Sequence, residues 1–369
     1  MSVLWHEAFT GTEADVYSKD GENYFIVDAH IALWDARPEN QLNIHGKQFI
    51  DCFYDYHRNL SPESEVWPYE EYLYYGGQRL MKDLFVDGYV DHAIFQPALL
   101  SAFYRNGFGQ TEEAFALARQ HPDKLTYNHC WDPRYEERGL DQLRRDADRF
   151  QLKGAKLYTA EWHGDSRGYK LDDPWSYRYL EMAQELGIEN IHVHKGPTIR
   201  PLDRDAFDVA DVDKAATDFP ELNFVVEHCG LPRLEDFCWI ATQEPNVHAG
   251  LAVAIPFIHT RPRYFAQIIG ELLYWLDENR IQFSSDYALW TPRWLIERFV
   301  DFQIPEDLQD EYPPITVEQK KILGLNAAAM YDIPVPAGAE VAATAPGPAA
   351  SEAAGPAGAA SVAAQPTKE

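Results

Sequence analysis

Short strand-like segments that alternate with helical segments are the feature that most limits how this chain can fold. Eight runs rich in β-branched and aromatic residues are predicted as strands, at positions 24–30, 90–96, 125–130, 154–158, 190–194, 223–228, 248–253 and 281–286. Segments with helical spacing, such as TEEAFALARQ and PWSYRYLEMAQELG, lie between them. This alternation produces βαβ units and a parallel sheet. Eight units predict a (β/α)8 barrel. The alternative fold, a doubly wound sheet, lacks a glycine-rich nucleotide loop after the first strand.

Two segments fall outside this alternation. An insertion at about residues 33–88 follows the first strand and is rich in Tyr, Phe and Trp (WPYEEYLYYGG). It is predicted either as a packed flap over the barrel mouth or as a substrate lid or partner surface. Residues 334–369 hold mostly Pro, Ala and Gly, with no aromatic residue and almost no charge. Such a segment buries too little apolar surface to offset its ordering entropy, so a disordered tail is predicted after a barrel domain of residues 1–333.

The amino-acid composition excludes several classes of protein. The 59 acidic residues exceed the 32 basic ones, and the resulting net charge of −27 argues against a nucleic-acid or anionic-membrane partner. The sequence has no apolar run of about 18 residues and no basic or apolar leader, so neither a membrane span nor a signal peptide is expected. Four scattered cysteines without a CxxC pair are typical of a reducing compartment. We therefore expect a soluble cytoplasmic protein.

Titratable side chains cluster at the ends of the predicted strands: Asp28 and His30, Lys156, His192 and His194, His228, and Asp286. The C-terminal strand ends of a (β/α)8 barrel converge on one mouth, where active sites are built. Imidazoles and carboxylates at such a mouth are ligands for a divalent metal such as zinc. Alternation along a strand places His192 and His194 on one face, and only His194 reaches the mouth. The sequence therefore predicts a metal site that includes His194.

These segments resemble the amidohydrolase superfamily, in the amidohydrolase-related branch that includes aminocarboxymuconate-semialdehyde decarboxylase, γ-resorcylate decarboxylase and several lactonases. The resemblance rests on IVDAHIALWD, GAKLYT, IHVHKGP, FVVEHCG, IQFSSDYALWTP and LGLNAAAMYDI, which follow the family's order from about residue 24 to 333. It implies that His194 and Asp286 are metal ligands and that Asp286 also shuttles a proton. It implies acid–base work for His228 beside the metal-bound water. His30 matches the first histidine of the family's strand-one His-x-His pair.

The chain departs from the family at Ala32, which stands where the second histidine of that pair is expected. The loss of one imidazole weakens a mononuclear site, and two replacements are open. In a shifted register, Asp28 and His30 resemble the Glu-x-His pair of γ-resorcylate decarboxylase, which makes Asp28 a ligand. Alternatively, Lys156 or His192 enters the ligand set. The expected cofactor is a divalent metal, zinc in the first place and manganese or iron as alternatives, and its expected ligands are His30, His194, Asp286 and Asp28.

The resemblance implies a metal-dependent hydrolase or decarboxylase that acts on a small carboxylated, lactone or amide substrate through a metal-bound water. A second hypothesis is a barrel that has lost catalysis and serves as an accessory or assembly protein, for example in a bacterial binuclear-iron monooxygenase system. Ala32, the aromatic insertion and the Pro/Ala tail motivate it. An enzyme requires an open coordination position at the mouth, whereas a scaffold requires a filled mouth and an exposed apolar patch. A homo-oligomer and a protein partner are further expectations.

Several side chains near the mouth are weaker candidates. Cations that favour an acidic substrate are Lys195, Arg200, Arg233 and Arg293, although ordinary surface ion pairs account for each of them as well. Loop residues that could contact substrate are Glu161, His163 and His259. Tyr287 and Trp290 are expected to shape the pocket wall. The remaining histidines expected to be structural are His45, His57, His121 and His129.

Overall fold

The computed structural model describes residues 16–339, in which eight parallel strands form a barrel. The strands are β1 (Val27–Ile31), β2 (His92–Phe95), β3 (Leu125–Tyr127, continued by His129–Cys130), β4 (Gly154–Leu157), β5 (Asn190–His194), β6 (Asn223–Glu227), β7 (Val247–Gly250) and β8 (Ile281–Gln282). Each predicted strand is present, and β5 has the predicted bounds. The other strands differ from the prediction by a few residues at their ends. The predicted (β/α)8 barrel is therefore confirmed.

Backbone pairing continues around the whole barrel. β1, β2 and β3 pair in parallel, and the second part of β3 pairs with β4. Strands β4 to β8 then pair in chain order. The ring closes between β8 and β1, where Ala29 N–H donates to the Phe283 carbonyl (3.1 Å) and Ala32 N–H donates to the Tyr287 carbonyl (2.6 Å). Because the strands are parallel, their C-terminal ends meet at one mouth.

Helices form the outer layer. They are α1 (Ile44–Leu60), α2 (Tyr69–Tyr72), α3 (Gly77–Phe85), α4 (Thr111–Gln120), α5 (Glu136–Phe150), α6 (Pro174–Glu185), α7 (Ala210–Asp218), α8 (Leu234–Gln243), α9 (Phe257–Thr260), α10 (Pro262–Trp275), α11 (Pro292–Asp301) and α12 (Leu325–Tyr331). Helix α5 shows why they pack: it buries Leu140, Leu143 and Phe150 on one face and exposes most of its charged residues. None of the helices within residues 16–339 is long and apolar enough to cross a membrane.

The insertion packs over the mouth as a cap. Its strand Trp34–Asp35 pairs antiparallel with Tyr74–Tyr75, and α1 lies between them in sequence. The Trp34 indole packs against four rings, and its Nε1 donates to the Tyr72 carbonyl (2.8 Å). His57 on α1 fastens the cap to the β8 side, because its Nδ1 donates to the Leu289 carbonyl (2.6 Å). The insertion thus has the packing expected of a flap, and it also lines the mouth cavity described below.

The C-terminal segment remains packed slightly further than expected. Residues 334–339 fall within the predicted tail, yet Ala339 is buried in an apolar cluster with Phe25 and Ile333. The Gly338 carbonyl accepts a hydrogen bond from Asn23 Nδ2 (3.2 Å). The rest of the predicted tail, residues 340–369, lies outside the described residues.

Candidate active site

A narrow cavity, with about 40 Å³ of space for the centres of water-sized molecules, lies at the C-terminal ends of the strands. Its polar lining includes His30, Lys156, His194, His228 and Asp286. Its apolar walls include Trp34, Phe53 and Tyr56 from the cap, together with Phe108 and Tyr158. The mouth therefore combines the strand-end residues singled out in the sequence with aromatic walls.

His228 and Asp286, the catalytic candidates, are positioned by unusual backbone conformations, and a neighbouring glycine leaves room for His228. His228 directly follows β6 and Asp286 follows β8, with φ of 64° and 59°. Such left-handed backbone is costly for residues other than glycine and is often found at functional sites. A Cβ added to Gly196 would lie 2.3 Å from the His228 ring, so only glycine leaves room for that imidazole.

The hydrogen bonds define the protonation of two histidines. His228 Nδ1 lies 3.1 Å from the Ala252 carbonyl, which can only accept, so Nδ1 carries the proton. In the neutral ring Nε2 is then an acceptor, and it receives a hydrogen bond from His194 Nδ1 (3.0 Å). This arrangement leaves His194 Nε2 as a buried lone pair with no hydrogen-bond partner among the described residues.

Burial keeps both imidazoles neutral. It lowers the pKa of His194 well below its usual value, and the neighbouring His228 lowers it further. Burial, together with the neighbouring His30, lowers the pKa of His228 to about 3. Burial raises the pKa of Asp286, while His30 and Lys156 oppose that rise. Asp286 Oδ1 lies 3.5 Å from His30 Nε2, so these two side chains face each other across the site.

Glu227 is a functional candidate that the sequence analysis missed. It is the last residue of β6 and is fully buried. Its carboxylate lies 2.9 Å from His30 Nδ1, 2.6 Å from His192 Nδ1 and 3.8 Å from Lys156 Nζ. Burial alone would raise the pKa of Glu227, but contacts with His30, Lys156 and His192 outweigh it and hold the pKa well below its usual value. The sequence held no local signal for it, because alternation along β6 would place Glu227 and the adjacent His228 on opposite faces.

Asp28 is not brought to this group, although it was expected as a ligand. Its Oδ1 accepts the Ser285 N–H (2.9 Å), and its Oδ2 accepts the Ser285 hydroxyl. Burial raises the pKa of Asp28 to about 7. The side chain therefore links β1 to the segment after β8. His192 lies deeper in the barrel than His194, as expected, and its Nε2 contacts the Tyr331 hydroxyl at 2.8 Å.

Most of the weaker candidates do not line the cavity. Of the described cations, Lys156 is the one that lines the cavity. Lys195 is instead paired with Asp211 (2.8 Å) and Arg233 with Asp208 (3.2 Å). The remaining candidates that do not line this cavity are Arg200, Arg293, Glu161, His163, His259 and Trp290. Tyr287 does line it, as expected.

The donor chemistry fits a divalent cation. As the side chains stand, no three His, Cys, Asp or Glu residues in 16–339 form a ready-made ligand cluster. However, two donors bound to one tetrahedral zinc at about 2.0–2.1 Å are separated by roughly 3.3 Å, close to the observed His30–Asp286 distance. An unpaired buried acceptor such as His194 Nε2 costs about 1–3 kcal/mol, which a bound cation would relieve.

The fold and this mouth define a (β/α)8-barrel enzyme with imidazole and carboxylate groups at the catalytic end of the barrel. Residues 27–333 match the family model described as Amidohydrolase. The chain therefore belongs to the amidohydrolase family, and the resemblance inferred from its motifs is confirmed.

Solved structures share the barrel. An uncharacterised TIM-barrel protein from Bordetella bronchiseptica is 18% identical, with a TM-score of 0.60 over 84% of this chain and 98% of the other. The 2,6-dihydroxybenzoate decarboxylase from Rhizobium is 14% identical, with a TM-score of 0.53 over 84% and 99%. The 5-carboxyvanillate decarboxylase from Novosphingobium aromaticivorans, complexed with manganese and 4-hydroxy-3-methoxy-5-nitrobenzoic acid, is 14% identical, with a TM-score of 0.53 over 87% and 100%. No protein of curated function matches this chain in sequence.

Proposed function

We propose that this chain is a metal-dependent decarboxylase or hydrolase acting on a small carboxylated, lactone or amide compound. The observation that carries the proposal is the convergence of His30, His194 and Asp286 on one cavity, with the His194 Nε2 lone pair unpartnered. Three protein ligands and one open position are the usual equipment of a catalytic zinc site. Zinc is the first expectation, with manganese or iron as alternatives. Manganese is the metal in the 5-carboxyvanillate decarboxylase.

Different residues of the chain have different roles in the proposed reaction. A bound divalent cation would polarise a substrate oxygen and lower the pKa of a water molecule. Asp286, whose pKa burial raises, is suited to take up a proton and return it. His228 is locked by the Ala252 carbonyl, so it holds His194 in the tautomer with a free Nε2. Aromatic walls exclude water from the reacting groups.

The cavity lining points to a substrate with an apolar body. Trp34, Phe53 and Phe108 offer flat apolar surfaces, which suit an aromatic or alkyl skeleton. Lys156 is 1% exposed at the cavity floor. Lys156 already faces Glu227 at 3.8 Å, and a substrate carboxylate at the floor would be a second partner for it. This supports a compound with one acidic end.

Metal content tests the proposal. We expect the protein, purified without a histidine tag, to hold near one zinc, manganese or iron per chain by elemental mass spectrometry. His194→Ala and Asp286→Ala should lose it. Asp28→Asn is the matched control, because Asp28 contacts Ser285, and it should retain the metal. A wild-type protein without metal after metal is added back would contradict the proposal.

The cellular location, the oligomeric state and a protein partner are further proposals. All four cysteines are free thiols, which suits the proposed cytoplasmic location. A homo-oligomer and a protein partner stay predictions. The accessory role finds no support in the proteins that resemble this chain.

A further inference from the structure

One buried carboxylate connects three strands beneath the mouth. Glu227 is the last residue of β6, and its side chain touches His30 from β1, Lys156 from β4 and His192 from β5. Two of these contacts are short, at 2.9 Å to His30 and 2.6 Å to His192. Each of the four side chains is at least nine-tenths buried. No catalytic step described above uses Glu227.

The barrel is shaped to hold this carboxylate. Glu227 lies opposite Gly250 of β7, and a Cβ on that glycine would lie 2.6 Å from Glu227 Oε2. The other oxygen is held from below, because His192 contacts Oε1 and is itself held by the Tyr331 hydroxyl. Tyr331 in turn accepts from Asn128 Nδ2 (2.6 Å). The carboxylate therefore has a defined position between the barrel interior and His30.

Stability alone does not explain such a group. A buried ion pair is often replaced by packed apolar residues without loss of stability, since both charges must be desolvated. What the carboxylate does provide is orientation. A histidine that binds a metal usually turns its other ring nitrogen toward a carboxylate, which orients the ring and makes the metal-facing nitrogen a better ligand. In His30 that other nitrogen is Nε2, which faces Asp286 at 3.5 Å.

We propose that Glu227 is a positioning residue that holds the His30 ring with Nε2 toward the cavity and so offsets the missing histidine at Ala32. The inference rests on the proposed function, since it assumes that His30 is a metal ligand. The short His30–Glu227 contact is the geometric basis. It is not aligned as a linear hydrogen bond, so it acts by charge and position.

The test measures metal affinity directly. Apo-protein prepared with a chelator is titrated with Mn²⁺ alone, and the free ion is followed by electron paramagnetic resonance. Glu227→Gln alone would leave Lys156 as an unpaired buried charge, which destabilises the fold. The double variant Glu227→Gln/Lys156→Met removes that charge as well. Lys156→Met is its matched reference. Tyr331→Phe is the second control, because it removes the far end of the chain of contacts and leaves the Glu227–His30 pair intact.

We expect the double variant to bind Mn²⁺ 10–100-fold more weakly than Lys156→Met, on the order found when such supporting partners are removed. Tyr331→Phe should bind within about twofold of wild type by the same reasoning. Circular dichroism and thermal unfolding confirm that the compared variants are folded. Equal affinity of the double variant and Lys156→Met would overturn the role of Glu227 and leave the proposed function standing. Failure of the wild type to bind Mn²⁺, together with no metal in the elemental analysis proposed above, would overturn the proposed function itself.

Discussion

At the scale of single residues, the mouth depends on glycines as much as on titratable groups. Gly196 leaves room for the His228 ring, and Gly250 leaves room for the Glu227 carboxylate. Neither has the positive φ that would require glycine for backbone reasons. Their role is close approach, since each Cβ would overlap a side chain of the site.

This close approach predicts a compensating pair of substitutions. Gly250→Ala should reduce the free energy of unfolding by about 1–3 kcal/mol, the usual cost of overpacking. Glu227→Asp withdraws the carboxylate by one methylene, so Gly250→Ala/Glu227→Asp should be more stable than Gly250→Ala alone. Urea unfolding of wild type and the three variants measures both effects. Additive losses in the double variant would argue against the overlap.

At the scale of elements, the cap and the strand ends position the site together. Helix α1 is tied to the mouth by His57, which donates to the Leu289 carbonyl and accepts the Trp67 N–H (2.9 Å). Both ring nitrogens are used, and the ring must be neutral to accept. Burial lowers the pKa of His57 to about 4. The attachment of the cap is therefore sensitive to acid.

The free energy of unfolding depends on pH because the pKa of His57 differs between the folded and unfolded states. A histidine with a depressed folded-state pKa supplies stability above its unfolded pKa of about 6.5 and loses it as pH falls toward 4. Between pH 7.5 and 5, this amounts to about 2 kcal/mol for His57. In His57→Gln, the amide can still donate and accept, so this variant should lose about 2 kcal/mol less than wild type over that range. Urea unfolding at the two pH values tests this, and parallel losses would contradict it. The pH 7.5 comparison is the control, since His57 is neutral there.

At the scale of the whole molecule, barrel closure brings the two ends of the fold together. The segment that follows β8 hydrogen-bonds to β1, and α12 covers that seam from below. The segment after α12 adds Ala339 to the same apolar cluster as Phe25. Packing contacts thus continue at least as far as residue 339.

This boundary predicts the effect of truncation. A chain ending after Ala339 should unfold at the same temperature as the full chain, because the Pro/Ala-rich composition of residues 340–369 predicts no apolar packing. A chain ending after Pro334 loses the buried Ala339 and the Asn23–Gly338 hydrogen bond. It should lose about 1–2 kcal/mol. Thermal unfolding of the three chains measures the difference. Destabilisation by the first truncation would show that residues 340–369 contribute to the fold.

The sequence by itself determined the architecture. Strand and helix periodicities are local properties, so the eight strands and helices such as α4 and α6 could be read from the chain. The rule that parallel strand ends share a mouth also predicted that His30, His194, His228 and Asp286 would lie together. These inferences need no knowledge of which side chains touch.

Only the tertiary structure decided which strand-end groups contact one another. Asp28 and His30 are two residues apart, yet one bonds Ser285 and the other faces the cavity, because the pairing of β1 shifts between Asp28 and Ile31. Glu227 and His228 are adjacent, yet both reach the interior, because the positive φ of His228 breaks the alternation of β6. Contacts with partners 30 or more residues away set such side-chain directions, and no local pattern encodes them.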